Sequence, residues 1–225
     1  MGCTEGVIRC FSAASLEYVT SLPRPELAQI PDVTAMSYDE THSSLTVVYS
    51  DHSLVTWDVG VVTNVSMITS HNFHSSCVWS VDTFQGRTLL ELAKSLIRIL
   101  LGGLESGSSL VTSSSDNTIR LWSLDSGPLS HSGLECHLQR TISVDTELEE
   151  DPQKTGVKIV RVSPDESFIA SGDRNGNIRI HDARSFEEIC KIEAHDAEVT
   201  SLKFAGDRYL ASASRDRLVR VDMMF

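Results

Sequence analysis

The stretch IASGDRNGNIRIHD, residues 169–182, reads as a short apolar strand, a polar turn and a second, alternating strand. In the second strand Ile178 and Ile180 face one way and Arg179 the other, the period of two expected of a strand. Between the strands, Asn175 and Gly176 tolerate the positive φ of a tight turn. LVTSSSDNTIRLW at 110–122 has the same plan, with Ile119 and Leu121 opposed to Arg120 and with Asp116 and Asn117 in the turn. YLASASRDRLVRV at 209–221 and LTVVYSDHSLVTWD at 45–58 repeat it, and EGVIRCF at 5–11 matches its second half.

Outward from these hairpins, a further strand precedes each full copy: VTAMSYD at 33–39, VWSVDTF at 78–84, VKIVRVSPDE at 157–166 and VTSLKFAGD at 199–207. The third ends in a Pro-Asp turn, where proline pre-sets φ. The repeat is therefore a unit of several antiparallel strands. Asn175 and Asp216 lie 41 positions apart, and Phe11 and Trp57 lie 46 apart, near the period of roughly 40–45 typical of a four-stranded propeller blade. Longer intervals, 65 from Trp57 to Trp122 and 59 from Trp122 to His181, imply insertions. Residues 86–108 and 126–156 supply them. The first holds LLELAKSLIRILLGG at 89–103, whose apolar residues recur at three- and four-residue steps, so it reads as a short helical insertion ended by Gly102 and Gly103. Its stripe either packs on the fold, or receives a partner, or marks a splice or gene-model artefact. The second reads as an acidic loop between repeats, with Asp145, Glu147, Glu149, Glu150 and Asp151 close together.

Composition narrows the function. The 225 residues are 40% hydrophobic and 22% charged, with 13 Gly and 6 Pro, a composition that folds and is neither collagen-like nor disordered. A net charge of −12 opposes nonspecific binding to nucleic acid or anionic membranes. Cys3, Cys10, Cys77, Cys136 and Cys190 form no CxxC pair and are odd in number, so no disulfide framework or clustered zinc site is indicated and a reducing compartment is the simpler expectation. No apolar run approaches the roughly 20 residues of a transmembrane helix.

HSSCVWSV at 74–81, SSDNTIRLW at 114–122, SGDRNGNIRIHDARSFEEICKIEAHDAEV at 171–199 and LASASRDRLVRV at 210–221 resemble WD40 repeats. More narrowly they resemble the family of the mitogen-activated protein kinase binding protein and its microcephaly-associated WD-repeat relative, over nearly all of the chain except residues 86–108 and parts of 126–156. The resemblance implies an all-β, incomplete WD40 β-propeller over 1–225, with about three full blades and two partial ones. It also implies a piece of a larger cytoplasmic scaffold, acting in kinase signaling or at the spindle pole or centrosome, whose partners are other proteins such as mitogen-activated protein kinases or spindle-pole proteins. No cofactor, nucleic-acid or membrane partner is expected.

In WD40 blades a His before the first strand, a hydroxyl on the second, an Asp in the next turn and a Trp on the third form a hydrogen-bonded network. The complete set here is His74, Thr112, Asp116 and Trp122, and a partial set is His195, Ser212 and Asp216. The intervening repeat has Gln153, Ser171, Asn175 and His181 at the matching places, while the Trp57 repeat keeps Asp51 but has Val47 and Gln29. The same residue types spell a Ser/His/Asp hydrolase. That reading is the remote alternative, because no GxSxG elbow is present and a catalytic site does not recur once per repeat. Catalytic and metal-ligating residues are therefore expected to be none. Arg174, Arg179, Arg215, Arg217 and Arg220 lie near turns or on outward positions, as a solvated edge or a patch for an acidic partner. HDAR at 181–184 resembles the WDxR ending by which some propellers dock onto a cullin ubiquitin ligase, which makes Arg184 a candidate contact and a ligase substrate receptor the alternative to the scaffold.

Overall fold

The computed structural model describes residues 2, 4–22, 31–40, 42–61, 64–72, 74–84, 109–125, 135–144, 156–206 and 208–223. Among the described residues, seventeen strands form five antiparallel sheets. Three sheets have four strands: β3 (Val33–Asp39), β4 (Ser44–Tyr49), β5 (Ser53–Asp58) and β6 (Ser66–Asn72); β7 (Val78–Phe84), β8 (Ser109–Ser114), β9 (Thr118–Asp125) and β10 (Glu135–Ser143); and β11 (Val157–Val162), β12 (Phe168–Asp173), β13 (Asn177–Asp182) and β14 (Glu188–Glu193). Before them stands a two-stranded sheet, β1 (Ile8–Phe11) and β2 (Tyr18–Leu22), and after them a three-stranded one, β15 (Val199–Ala205), β16 (Tyr209–Ser214) and β17 (Val219–Met223). Three full blades and two partial ones are thus present, as the repeats imply. In each full sheet the strands follow chain order, so consecutive strands are antiparallel neighbours.

Alternation decides how the sheets stack. Val47, Tyr49, Val55 and Trp57 pack back onto Ile8 and Leu22 of the β1–β2 sheet, whereas Val48 and Leu54, pointing the other way, pack forward onto Val78, Val81, Leu110 and Trp122. Val111 and Ile119 meet Val157, Val160 and Ile169 of the next sheet, and Ile159, Ile178 and Ile180 meet Val199, Leu202, Phe204 and Leu210 of the last. An inner sheet is covered on both faces, and its strands consequently carry consecutive apolar residues. The series stays open. On β17 the side chains of Val219, Val221 and Met223 remain exposed, so the roughly 1.5–3 kcal/mol that full burial of each would contribute is not gained.

The four first strands, β3, β7, β11 and β15, lie side by side along the inner edge. Each carries a bulge at the same place, between Val33 and Ala35, Val78 and Ser80, Val157 and Ile159, and Val199 and Ser201. The extra residue is Thr34, Trp79, Lys158 or Thr200. A bulged residue has no partner in the ladder, and its side chain is re-aimed. The turns between second and third strands also agree: His52, Asn117, Gly176 and Arg217 occupy one position and all have φ between 62° and 91°.

Two readings of the sequence are corrected. Residues 126–156 are not one loop, because Glu135–Ser143 forms β10, paired along β9 from Thr118 to Asp125. The strand completes the open edge of β9 and sends Ile142 and the following Val144 into the core; its Ser-rich and acidic flanks conceal it in the sequence. Arg179 is not on a solvated edge but 4% exposed. The helical insertion at 86–108 and the acidic run at 145–151 lie outside the described residues.

Candidate functional site

In the β7–β10 sheet, the loop before β7, the middle of β8, the β8–β9 turn and β9 converge on one histidine. His74 Nδ1 lies 2.8 Å from Asp116 Oδ2, and its Nε2 lies 2.8 Å from Thr112 Oγ1. The Trp122 indole N–H donates to the same hydroxyl at 2.9 Å. With the proton on Nδ1, the order of donation runs from Trp122 to Thr112 to His74 to Asp116, and each member has a partner. Asp116 gathers more than the histidine: the Thr118 N–H and hydroxyl both donate to its Oδ1, the Ser75 N–H donates to Oδ2 at 3.3 Å, and Arg120 Nη2 lies 3.5 Å away. Burial pushes the Asp116 carboxyl up, but the donors from His74 and Thr118 outweigh it and hold the group well below the usual carboxylate range. The Ser114 hydroxyl accepts from the Asp116 N–H and donates to the Ser76 carbonyl, which pins the turn to the preceding loop.

The last sheet repeats the histidine-centred part of this arrangement. His195 Nδ1 lies 2.8 Å from Asp216 Oδ2 and its Nε2 2.8 Å from Ser212 Oγ, while Ser214 accepts from the Asp216 N–H and donates to the Ala197 carbonyl. Asp222 stands where Trp122 does and donates nothing, so this chain of bonds stops at Ser212.

The β11–β14 sheet is built differently. Ser171, Asn175 and His181 do not come together as a network, and Gln153 lies outside the described residues. Its carboxylate comes instead from Asp173, two positions before Asn175, a residue sequence reasoning passed over. Asp173 Oδ1 accepts the N–H groups of Asn175 and Asn177, both at 2.9 Å, and Oδ2 accepts from Arg179 Nη1 at 2.8 Å and from Asn177 Nδ2 at 3.0 Å. Arg179 also reaches Glu188, which explains its burial. His181 is 2% exposed and its Nδ1 has no hydrogen-bond partner; burial holds its pKa below the ordinary imidazole value. In the Trp57 sheet, Asp51 caps its turn through the Ser53 N–H and hydroxyl, and the buried Trp57 indole N–H finds no bond of full geometry.

The sequence and fold comparisons agree with this geometry. A family model described as "WD domain, G-beta repeat" matches residues 101–123, and one described as "Anaphase-promoting complex subunit 4 WD40 domain" matches 135–207. The chain is built of WD40 repeats. It is 38% identical over 98% of its length to WD repeat-containing protein 62 of Sus scrofa, and 36% identical, again over 98%, to mitogen-activated protein kinase-binding protein 1 of Homo sapiens. It spans 16–17% of the length of these curated relatives. Among solved structures, the β-propeller domain of Cps50 (Swd1) from Myceliophteria thermophila superposes with a TM-score of 0.68 at 13% identity, covering 98% of this chain and 59% of that one. The computationally designed Ika4 protein superposes with a TM-score of 0.61 at 15% identity, covering 90% and 96%. At such identities the likeness concerns fold.

The WD40 architecture separates the candidate contact residues. Arg174, Arg215 and Arg217 lie in second-to-third strand turns, beside the starts of the inner strands: the N–H groups of Arg174 and Arg215 donate to the carbonyls of Gly156 and Glu198. Arg184 lies in the β13–β14 turn, at the opposite end of its blade, exposed, with its own N–H and that of Ser185 donating to Asp182 at 2.8 Å. Next to Arg174 the structure adds two residues that sequence reasoning did not select, Trp79 and Lys158. Their signal was present in VWSV and VKIV, where a large polar-tipped side chain interrupts an apolar strand start.

Proposed function

We propose that this WD40 chain is a noncatalytic scaffold whose blade ends hold other proteins, in kinase signaling or at the spindle pole. The observation that carries the reading is the placement of the groups that imitate a hydrolase. Thr112 and Ser212 are 0% and 1% exposed, and each hydroxyl is bonded to its histidine within the blade. A nucleophile must meet its substrate, and these hydroxyls are shut away from one. What the molecule offers outward is a series of turns on rigid sheets, an arrangement suited to binding. The kinase and spindle-pole assignments draw on the names and resemblance of relatives, of which mitogen-activated protein kinase-binding protein 1 is one. Calorimetric titration of the purified chain with purified mitogen-activated protein kinases tests the first. Imaging of the tagged chain in dividing cells tests the second, with cytoplasmic signal concentrated at spindle poles expected. Labelling by a serine-reactive fluorophosphonate that is lost on Ser212→Ala would overturn the noncatalytic reading.

A further inference from the structure

The bulges on β7 and β11 bring two side chains from different blades face to face. Lys158 Nζ sits 3.1 Å from the centroid of the Trp79 ring, and the Arg174 guanidinium carbon lies 5.7 Å from the same centroid. The indole is held in place, since its N–H donates to Ser115 Oγ at 2.6 Å. Beyond them Glu198, at the mouth of the next blade, is shared by Lys158 at 3.5 Å and Arg215 at 3.2 Å. Three cations therefore surround one carboxylate and one aromatic face. The Arg215 side chain is 73% exposed, whereas Lys158 is 24% and Glu198 16% exposed, so the Arg215 head points outward while Lys158 and the shared acid sit beneath it. On a chain of net charge −12, three cations from two neighbouring blades are gathered here around one carboxylate and one indole.

An indole face helps to hold a cation in position through its quadrupole and adds no net charge of its own. The guanidinium forks of Arg174 and Arg215 are suited to paired acceptors such as carboxylates. Exposed glutamates or aspartates of a partner would be steered to this rim by the field and fixed there by the two arginines. We propose that Trp79, Lys158, Arg174 and Arg215 form a docking ledge for an extended, carboxylate-rich peptide segment of a partner protein. The segment's chain lies along the ledge beside Trp79 and its acidic side chains reach Arg174 and Arg215. This inference rests on the scaffold reading and gives it a surface and a partner chemistry.

The test uses the full chain and a fluorescein-labelled oligoglutamate peptide, followed by anisotropy, with oligolysine and an uncharged Gly-Ser peptide as controls. Saturable, salt-sensitive binding of oligoglutamate alone is expected. Arg174→Ala and Arg215→Ala should each weaken it by about fivefold, and Arg184→Ala, at the opposite end of its blade, should leave it unchanged. Tryptophan emission supplies a second readout, since Trp57 and Trp122 are 3% and 2% exposed: the change in emission on binding should vanish in Trp79→Phe. Thermal unfolding of each variant establishes that it is folded. Absence of oligoglutamate binding, equal binding of oligolysine, or full binding by the folded Arg174→Ala, Arg215→Ala double variant would overturn the ledge. If the oligoglutamate tests fail while a kinase partner binds the unaltered chain, the scaffold reading stands and the ledge falls; if no protein binds even the unaltered chain, the scaffold reading itself falls.

Discussion

The blades β7–β10 and β11–β14 fold the same hairpin around different polar centres. In the first, the acid stands in the turn as Asp116 and receives an imidazole from the preceding loop. In the second, the acid has moved two residues back onto β12 as Asp173 and receives a guanidinium from the neighbouring strand β13. Both carboxylates accept N–H groups from the turn, Thr118 in one case and Asn175 and Asn177 in the other. The constant requirement is a buried acceptor for the donors that a tight turn leaves without strand partners. Which residue supplies it, and which cation or imidazole accompanies it, is free to vary. The histidine-centred blade can use neutral partners, whereas the arginine-centred one holds a permanent charge.

That contrast predicts unequal costs. Asp173→Ala leaves Arg179 as a buried, under-compensated cation, since Glu188 is only partly buried, and should destabilise the chain by about 3–5 kcal/mol in chemical denaturation. A loss below that of Asp116→Ala would break the comparison. Gly176→Ala comes next. It has φ of +91°, and an added Cβ would stand 2.0 Å from the His195 carbonyl oxygen, whose residue also donates its N–H to Gly176. A loss of about 3 kcal/mol or more is expected, against about 1 kcal/mol for Asn117→Ala at the same turn position, where φ is 62°.

Asp116→Ala removes the acceptor of His74 and Thr118 and should cost roughly 1–3 kcal/mol at neutral pH. Because the folded-state pKa of Asp116 is depressed, its contribution is present above the unfolded value of about 4 and is lost as pH falls below it toward the folded one. The gap in thermal midpoint between the native chain and Asp116→Ala should therefore narrow on acidification; a constant gap would remove Asp116 from the ionised network. The smallest effect belongs to His181. Its folded-state pKa is also depressed, here chiefly by burial, so again the unfolded chain takes up the proton first. Stability is then full above about pH 6.5 and declines as pH falls through the folded value. His181→Phe should flatten the stability profile in that range, and an unchanged slope would show that the ring is not kept neutral by the blade.

Hairpins and their number were legible in the sequence because each depends on residues close together in the chain, whereas the His74 and His195 sets, with His and Asp 42 and 21 positions apart, were legible only through the resemblance to WD40 blades. Arg179 shows why the remainder was not. Alternation correctly sets it against Ile178 and Ile180, but polarity does not say whether that side is solvent. In a stack of sheets both sides are interior, and a charged residue there needs a partner such as Asp173. The strand β10 escaped for a related reason: its edge position makes little demand on apolar character, and Leu138 is 44% exposed. Trp79 and Lys158 escaped because alternation treats a bulged residue as one more position in the strand.

The chain's own order of residues settled the repeated hairpins and the residues of each turn through short-range spacing and alternation, and the WD40 resemblance of the repeats pointed to the internal ties of two blades. Only the tertiary structure decided what lies between blades: Lys158 on Trp79, Gly176 beneath His195, and Val48 and Val47 turned to opposite cores. Those contacts join residues of different repeats or opposite faces of one strand, and their approach is fixed by how twisted sheets stack, a quantity no single repeat encodes.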